Sequence, residues 1–168
     1  MTTSRVTMPT MQAPSDHRAA ARESTVTVRN ESSVDVPVSV AAVAPWVSDL
    51  GRYPEWMPLV HEAVPDGEHL WRVELRARVG VFARSKRLRM RRTVAEGNRW
   101  VFERDEDDGR RHATWRLEVH LDRVDPGTRV TMTLSYEGSL WTGGILDRVL
   151  AAQIEAGKSG LVAVVGAG

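Results

Sequence analysis

From Glu68 to Gly138 the chain changes face at nearly every residue. In "HLWRVELRARV", Trp71, Val73, Leu75, Ala77 and Val79 alternate with Arg72, Glu74, Arg76 and Arg78. "KRLRMRRTV" sets Leu88, Met90 and Val94 on one side and Arg87, Arg89 and Arg91 on the other. "RWVFERD" is followed by "HATWRLEVHLD", with Ala113, Trp115, Leu117, Val119 and Leu121 in phase. "RVTMTLSYEG" then opposes Val130, Met132, Leu134 and Tyr136 to Thr131, Thr133 and Ser135. A period of two belongs to a strand with one dry face, and "EGN", "DEDDGR" and "DPGT" supply turn residues at the joints. The segment therefore predicts an antiparallel meander with one apolar face.

Charge fixes the register of one hairpin. With Glu96–Asn98 as a three-residue loop, Val94 faces Trp100, Arg92 faces Phe102 and Met90 faces Arg104. On the outer face Arg91 then meets Glu103, Arg89 meets Asp105 and Arg87 meets Asp107. Each such pair contributes about 0.2–1 kcal/mol, and a slip of one residue destroys all three.

The flanks read differently. "TVTVRNESSVDV" (Thr25–Val36) has the β-branched content of a strand and stops before Pro37. "PVSVAAVAPWVSDL" has helical spacing with Ser39 as N-cap, and Pro45 either kinks this helix or opens it. "DLGRYPEWMPLV" (Asp49–Val60) is too proline-broken for more than a turn or two of helix. After Gly143-Gly144, the residues Ile145, Leu146, Val149, Leu150, Ile154, Leu161 and Val164 make an apolar stripe, largely opposite Asp147, Arg148, Glu155 and Lys158. Gly157 and Gly160 weaken that helix by about 1 kcal/mol each relative to Ala. They let it approach a sheet, leave room for a ligand, or are simple imperfections. Residues 1–24 are rich in Thr, Ser, Ala, Pro and Arg and predict a disordered extension before one domain at 25–168.

Lys+Arg 23 against Asp+Glu 22 leaves a net charge of +1, so no global field argues for nucleic acid. The absence of cysteine removes disulfides, thiol catalysis and cysteine-held zinc, and suits a reducing cytoplasm. No run approaches 18 consecutive apolar residues, so no spanning segment is expected. His17, His61, His69, His112 and His120 show no HExxH spacing, no GxSxG elbow occurs, and "AAQIEAGKS" lacks the first glycine of a phosphate loop. No metal or cofactor is expected. The cationic run Arg84–Arg92 reads as a salt-bridged outer surface, with transient contact to a lipid surface as the alternative.

Trp71, Met90, Trp100, Phe102, Trp115, Met132 and Tyr136 share the inward parity. Such a face is either a dry core or the lining for a planar apolar ligand. Arg92 and Arg104 share it too, at a large desolvation cost if unpaired. A bulge turns them outward, they sit at a cavity mouth, or they anchor a ligand oxygen with Tyr136 as the nearest hydroxyl.

The order of elements, with Pro37, Asp49, Tyr53-Pro54, Trp56, Pro58 and "GSLWTGGILDRVLAAQIE", resembles the START-like (SRPBCC) superfamily over Thr25–Val165. The resemblance is to its polyketide cyclase/dehydrase or coenzyme-Q-binding branch. It implies an α+β helix-grip fold: a curved antiparallel sheet wrapped around a long C-terminal helix, with two short helices after the first strand. An apolar cavity is implied between sheet and helix, with Tyr53, Trp56 and Met57 capping one end. On that basis the expected ligand-binding residues are Trp56, Trp71, Val73, Leu75, Met90, Trp100, Phe102, Trp115, Leu117, Met132, Leu134, Tyr136, Ile154 and Gly157. Family members carry sterols, lipids, quinones and polyketides, and only some are enzymes. Two functions are therefore expected: a binding module for a small hydrophobic ligand, or a polyketide aromatase/cyclase. In the second, Arg92 or Arg104 polarises a carbonyl and Tyr136 moves a proton.

Overall fold

The computed structural model describes residues 25–79, 82–138 and 143–168, and the extension expected at 1–24 lies outside them. The β-branched opening segment forms strand β1 (Val26–Val36), and Ser39 caps helix α1 (Val40–Val47) by accepting from the Ala42 amide. A 3-10 helix, Leu50–Glu55, follows. Strands β2 (Val60–Gly67), β3 (Leu70–Val79), β4 (Phe82–Glu96), β5 (Arg99–Arg104), β6 (Thr114–Val124) and β7 (Gly127–Gly138) lead to the long helix α2 (Gly143–Gly166). The strands form one sheet in the order β1-β7-β6-β5-β4-β3-β2, with every neighbouring pair antiparallel. This is the α+β helix-grip architecture.

Three local expectations are refined. Strand β2 falls in "VHEAVPDG", which carries no period of two. It is an edge strand, and its pairing with β3 is interrupted between Val60 and Glu62 and between Pro65 and Gly67. Edges tolerate proline and irregular pairing because one side of the backbone needs no partner. Of the two roles open to Pro45, that of opening α1 is excluded, because the helix Val40–Val47 runs through it. Pro45 is exposed, so water can serve the carbonyl one turn back that its ring leaves without a donor.

The third refinement is at the β4–β5 hairpin. Met90 faces Arg104, Arg91 faces Glu103 and Arg92 faces Phe102, as expected. Nearer the turn the register differs, because Glu96 pairs with Arg99 and leaves a two-residue loop whose Gly97 has φ 56°. Val94 therefore faces Val101, and Ala95 takes the place opposite Trp100. A bulge between Arg92 and Val94 absorbs the extra residue and restores the phase.

On the outer face the charges reach diagonally rather than straight across. The Asp105 amide bonds the Arg89 carbonyl at 2.9 Å, yet the Asp105 carboxylate pairs with Arg91. Arg89 pairs with Asp66 and Asp107, each at 3.0 Å, and Arg87 pairs with Glu74 at 3.1 Å. Glu103 is taken by Arg116 at 2.7 Å. Within the basic run Arg87, Arg89 and Arg91 are thus neutralised by acids on neighbouring segments, and individual pairs of this exposed kind contribute little.

Helix α2 lies across the concave face with Leu150, Leu161 and Val165 buried against it. The side chains of Ile145 and Leu146, also expected in its stripe, lie outside the described residues. By length and composition Arg148–Gly166 is apolar enough to cross a membrane, but here its inner face is committed to the sheet.

Candidate functional site

One end of the concave face is closed by the segment that joins α1 to β2. Helix α1 ends with free carbonyls, and three side chains supply donors to them. The Trp56 indole N–H donates to the Trp46 carbonyl at 3.2 Å and the Tyr53 hydroxyl to Val47 at 2.9 Å. From the sheet, Arg92 Nη1 donates to the Ser48 carbonyl at 2.8 Å. Asp49 opens the 3-10 helix by accepting from the Gly51 amide at 2.8 Å. The Tyr53 ring lies 4.6 Å from Trp56 and 6.3 Å from Phe102, whose edge meets Trp71 at 5.8 Å. These contacts form a dense aromatic plug.

Helix α2 rests on the same segment through its two glycines. A Cβ on Gly160 would strike the Trp56 carbonyl, and one on Gly157 would come within 2.6 Å of the Met57 thioether. The close approach that the glycines permit is therefore to the Trp56–Met57 segment rather than to the sheet.

Beyond the plug a cavity of about 110 Å³ remains between α2 and the sheet. Ten of the fourteen residues expected to bind a ligand line it: Trp56, Val73, Leu75, Met90, Trp115, Leu117, Met132, Leu134, Ile154 and Gly157. Four are not on its wall. Trp71 and Phe102 belong to the aromatic plug, Trp100 is buried in the core, and Tyr136 packs edge-on behind Trp115 at 5.1 Å. Their inward parity is as expected, but they lie along parts of the sheet that are already filled.

Strand β1 supplies wall residues beyond those expected. Asn30, Ser32 and Val34 line the cavity, as do Tyr53, Met57, Leu88 and Lys158 elsewhere. The inward positions of β1 read Val26, Val28, Asn30, Ser32, Val34, Val36, so a polar pair interrupts an otherwise apolar face. That interruption is legible in the sequence.

The two arginines are accounted for by protein partners. Arg92, beside the bulge, remains inward and ties the sheet to α1, with its Nη2 also 2.6 Å from His69 Nδ1. Arg104, with a side chain only 10% exposed, donates to Glu106 at 2.7 Å, to the Ala113 carbonyl and to His112. Neither guanidinium is on the cavity wall.

Burial pushes the Tyr53 hydroxyl far above the ordinary tyrosine range, and nearby Asp49 adds to the shift. Burial also raises Tyr136, opposed by the Arg104 charge. Lys86, whose ammonium stands 6.0 Å from the Trp115 ring, is lowered by burial and by Arg104, with Glu106 opposing. Two positive groups, Lys86 and Arg104, thus lie close to the Glu106 carboxylate, with the Lys86 ammonium over the Trp115 ring and the Tyr136 phenol packed edge-on to it. No cluster of His, Asp or Glu able to hold a metal occurs among the described residues.

Solved structures of similar shape have low sequence identity and so speak to the fold alone. A START superfamily protein from Mycobacterium smegmatis is 16% identical with a TM-score of 0.68, covering 82% of this chain and 97% of its own. An aromatase/cyclase from Streptomyces sp. R1128 is 14% identical with a TM-score of 0.62, covering 84% and 94%. A protein from Thermus thermophilus is 22% identical with a TM-score of 0.58, covering 84% and 98%. No curated protein matches by sequence. The family model for "Polyketide cyclase / dehydrase and lipid transport" matches residues 27–166, nearly the whole described chain. With sheet, gripping helix and cavity all in place, the chain belongs to that polyketide cyclase/dehydrase and lipid transport family.

Proposed function

We propose that this protein binds one small apolar molecule in the cavity beneath α2 and releases it unchanged, as a carrier or sensor. The observation that carries this reading is the wall itself. It is built mainly from aliphatic, thioether and aromatic side chains, and no carboxylate, histidine or arginine lines it among the described residues. A volume near 110 Å³ is of the order that holds a single aromatic ring. The deeply buried Tyr53 hydroxyl on the wall is fixed to the Val47 carbonyl, so it serves structure rather than proton transfer.

The direct test is isothermal titration with toluene. Saturable one-to-one binding, abolished when Leu134→Trp fills the cavity, is the expected result. A wild-type protein that takes up no toluene, with a folded state confirmed by its thermal melt, overturns the reading.

A second reading, aromatase/cyclase activity, draws on Lys86, Arg104, Glu106 and Tyr136 near Trp115. There Arg104 would polarise a carbonyl of a poly-β-keto chain. Its engagement with Glu106, Ala113 and His112 favours a structural role instead. Unchanged cyclisation of a model polyketide in Arg92→Ala and Arg104→Ala would eliminate this alternative.

A further inference from the structure

The two strands that end the sheet are built differently. Strand β2 carries Pro65, and its pairing with β3 breaks between Val60 and Glu62 and again between Pro65 and Gly67. Interruptions of this kind blunt an edge against pairing with another chain. Strand β1 has none of them. Its 11 residues, VTVRNESSVDV, include no proline, glycine or lysine. They stay in unbroken register with β7, from Val26 opposite Gly138 to Val36 opposite Thr128. Among the described residues β7 is the only strand beside it. Its other side is an unbroken row of backbone donors and acceptors, the form of edge that takes a further strand.

The outer face of β1 selects which strand that is. Arg29 and Glu31 stand on this face on either side of Asn30, with side chains 65% and 58% exposed and a long mutual contact of 3.4 Å. Among the described residues the bonds to Glu31 fall on Oε2, from Arg29 and from the Thr133 hydroxyl at 3.1 Å, so Oε1 is left to receive a guanidinium. Opposite charges placed symmetrically about one residue are complementary to their own copy.

A second β1 laid antiparallel, about a two-fold axis normal to the sheet, keeps every side chain on its own face. With the axis through Asn30, Arg29 of each copy meets Glu31 of the other, Thr27 meets Ser33, and Val26 meets Val34. Centring on Arg29 or Glu31 instead brings like charges face to face, which is unfavourable across a strand pair. Centring on Ser32 aims Arg29 at Asp35, whose carboxylate is already held by Arg129 through two bonds of 2.8 Å.

We propose that two copies of this chain associate through β1, antiparallel and centred on Asn30, with reciprocal Arg29–Glu31 pairs on the outer face. The two sheets then continue as one, with both cavities on the same side. The association does not depend on what the cavity holds.

Sedimentation velocity of the full chain tests this. From ~10 µM to ~1 mM, the range in which a small interface associates, the wild type should pass from monomer to dimer. Arg29→Glu and Glu31→Arg each set like charges together at both pairs and should raise the dimer dissociation constant about fivefold or more. The double variant restores both pairs and should return it to within about twofold of the wild type. Both positions are exposed, and thermal melts check that each variant folds. A wild type that stays monomeric throughout overturns the proposal. So does a dimer that neither single substitution weakens, because its contact then lies on another surface. Weakening in the single variants without recovery in the double overturns the pairing as well. The wild type alone gives a second reading: raising salt from ~0.05 M to ~0.5 M should weaken the dimer, and a dimer that salt leaves unchanged overturns the ionic register.

Discussion

The Tyr53 hydroxyl, sealed beneath the 3-10 helix, donates to the Val47 carbonyl at 2.9 Å. It is one of three side-chain bonds, with those of Trp56 and Arg92, that serve successive carbonyls at the end of α1. One of these donors comes from a distant strand, so the short helix is fastened to the sheet by its own loose end.

Tyr53→Phe removes that hydroxyl and leaves the Val47 carbonyl buried with nothing to replace it. The expected loss is about 1–3 kcal/mol in a urea denaturation, with the aromatic plug otherwise preserved.

The two glycines of α2 should respond differently. Alanine at Gly160 meets the backbone carbonyl of Trp56, which cannot swing away, whereas at Gly157 it meets the flexible end of Met57. Gly160→Ala is expected to destabilise by roughly 1–3 kcal/mol, the cost of forcing extra volume into a packed contact. Gly157→Ala should be nearly neutral, because better helix propensity, about 1 kcal/mol, offsets the displacement of Met57. Paired thermal melts decide this.

Phe102 and Met132 share a parity but not a location. Phe102 is fully buried in the plug, so Phe102→Ala should cost about 3–5 kcal/mol. Met132 borders existing empty space, so Met132→Ala should fall at or below the low end of the ~2–5 kcal/mol range for such truncations. Comparable losses at the two sites would contradict the placement of the cavity.

Glu74 gives a pH signature. Hydrogen bonds from Arg76 and then Arg87 hold its carboxyl below the ordinary glutamate range. A lowered folded-state value means that the unfolded chain takes up the proton first. The stabilisation is therefore complete above the ordinary range and disappears as pH falls through it toward the folded value. The urea midpoint of the wild type should exceed that of Glu74→Gln at pH 7, and the gap should close as the pH is lowered into the acid range.

Parity along each strand is enough to name the sheet, the face and the gripping helix. It cannot say which row of that face is filled. Trp71 and Phe102 are indistinguishable by phase from Leu117 and Met132, and only the position of Tyr53 and Trp56 against the sheet separates plug from cavity. The bulge at Thr93 is hidden because a shorter turn and an extra strand residue cancel beyond it. Arg92 poses a problem of desolvation by its parity, and its solution, the carbonyl of Ser48, lies forty-four positions away in the chain. Strand β2 escapes a search for alternation because its irregular edge carries none. Asn30 and Ser32, by contrast, are plain breaks in an alternating pattern.

Strand β5 places none of its residues on the cavity wall, while β1, β6 and β7 supply much of it. Its Phe102 is instead part of the plug that holds α1 and the sheet together. Substitutions at wall positions such as Ser32, Leu117 or Leu134 can therefore reshape the cavity without loosening the joint of the scaffold. A protein divided in this way can change the shape of its cavity through a few side chains and keep its architecture intact.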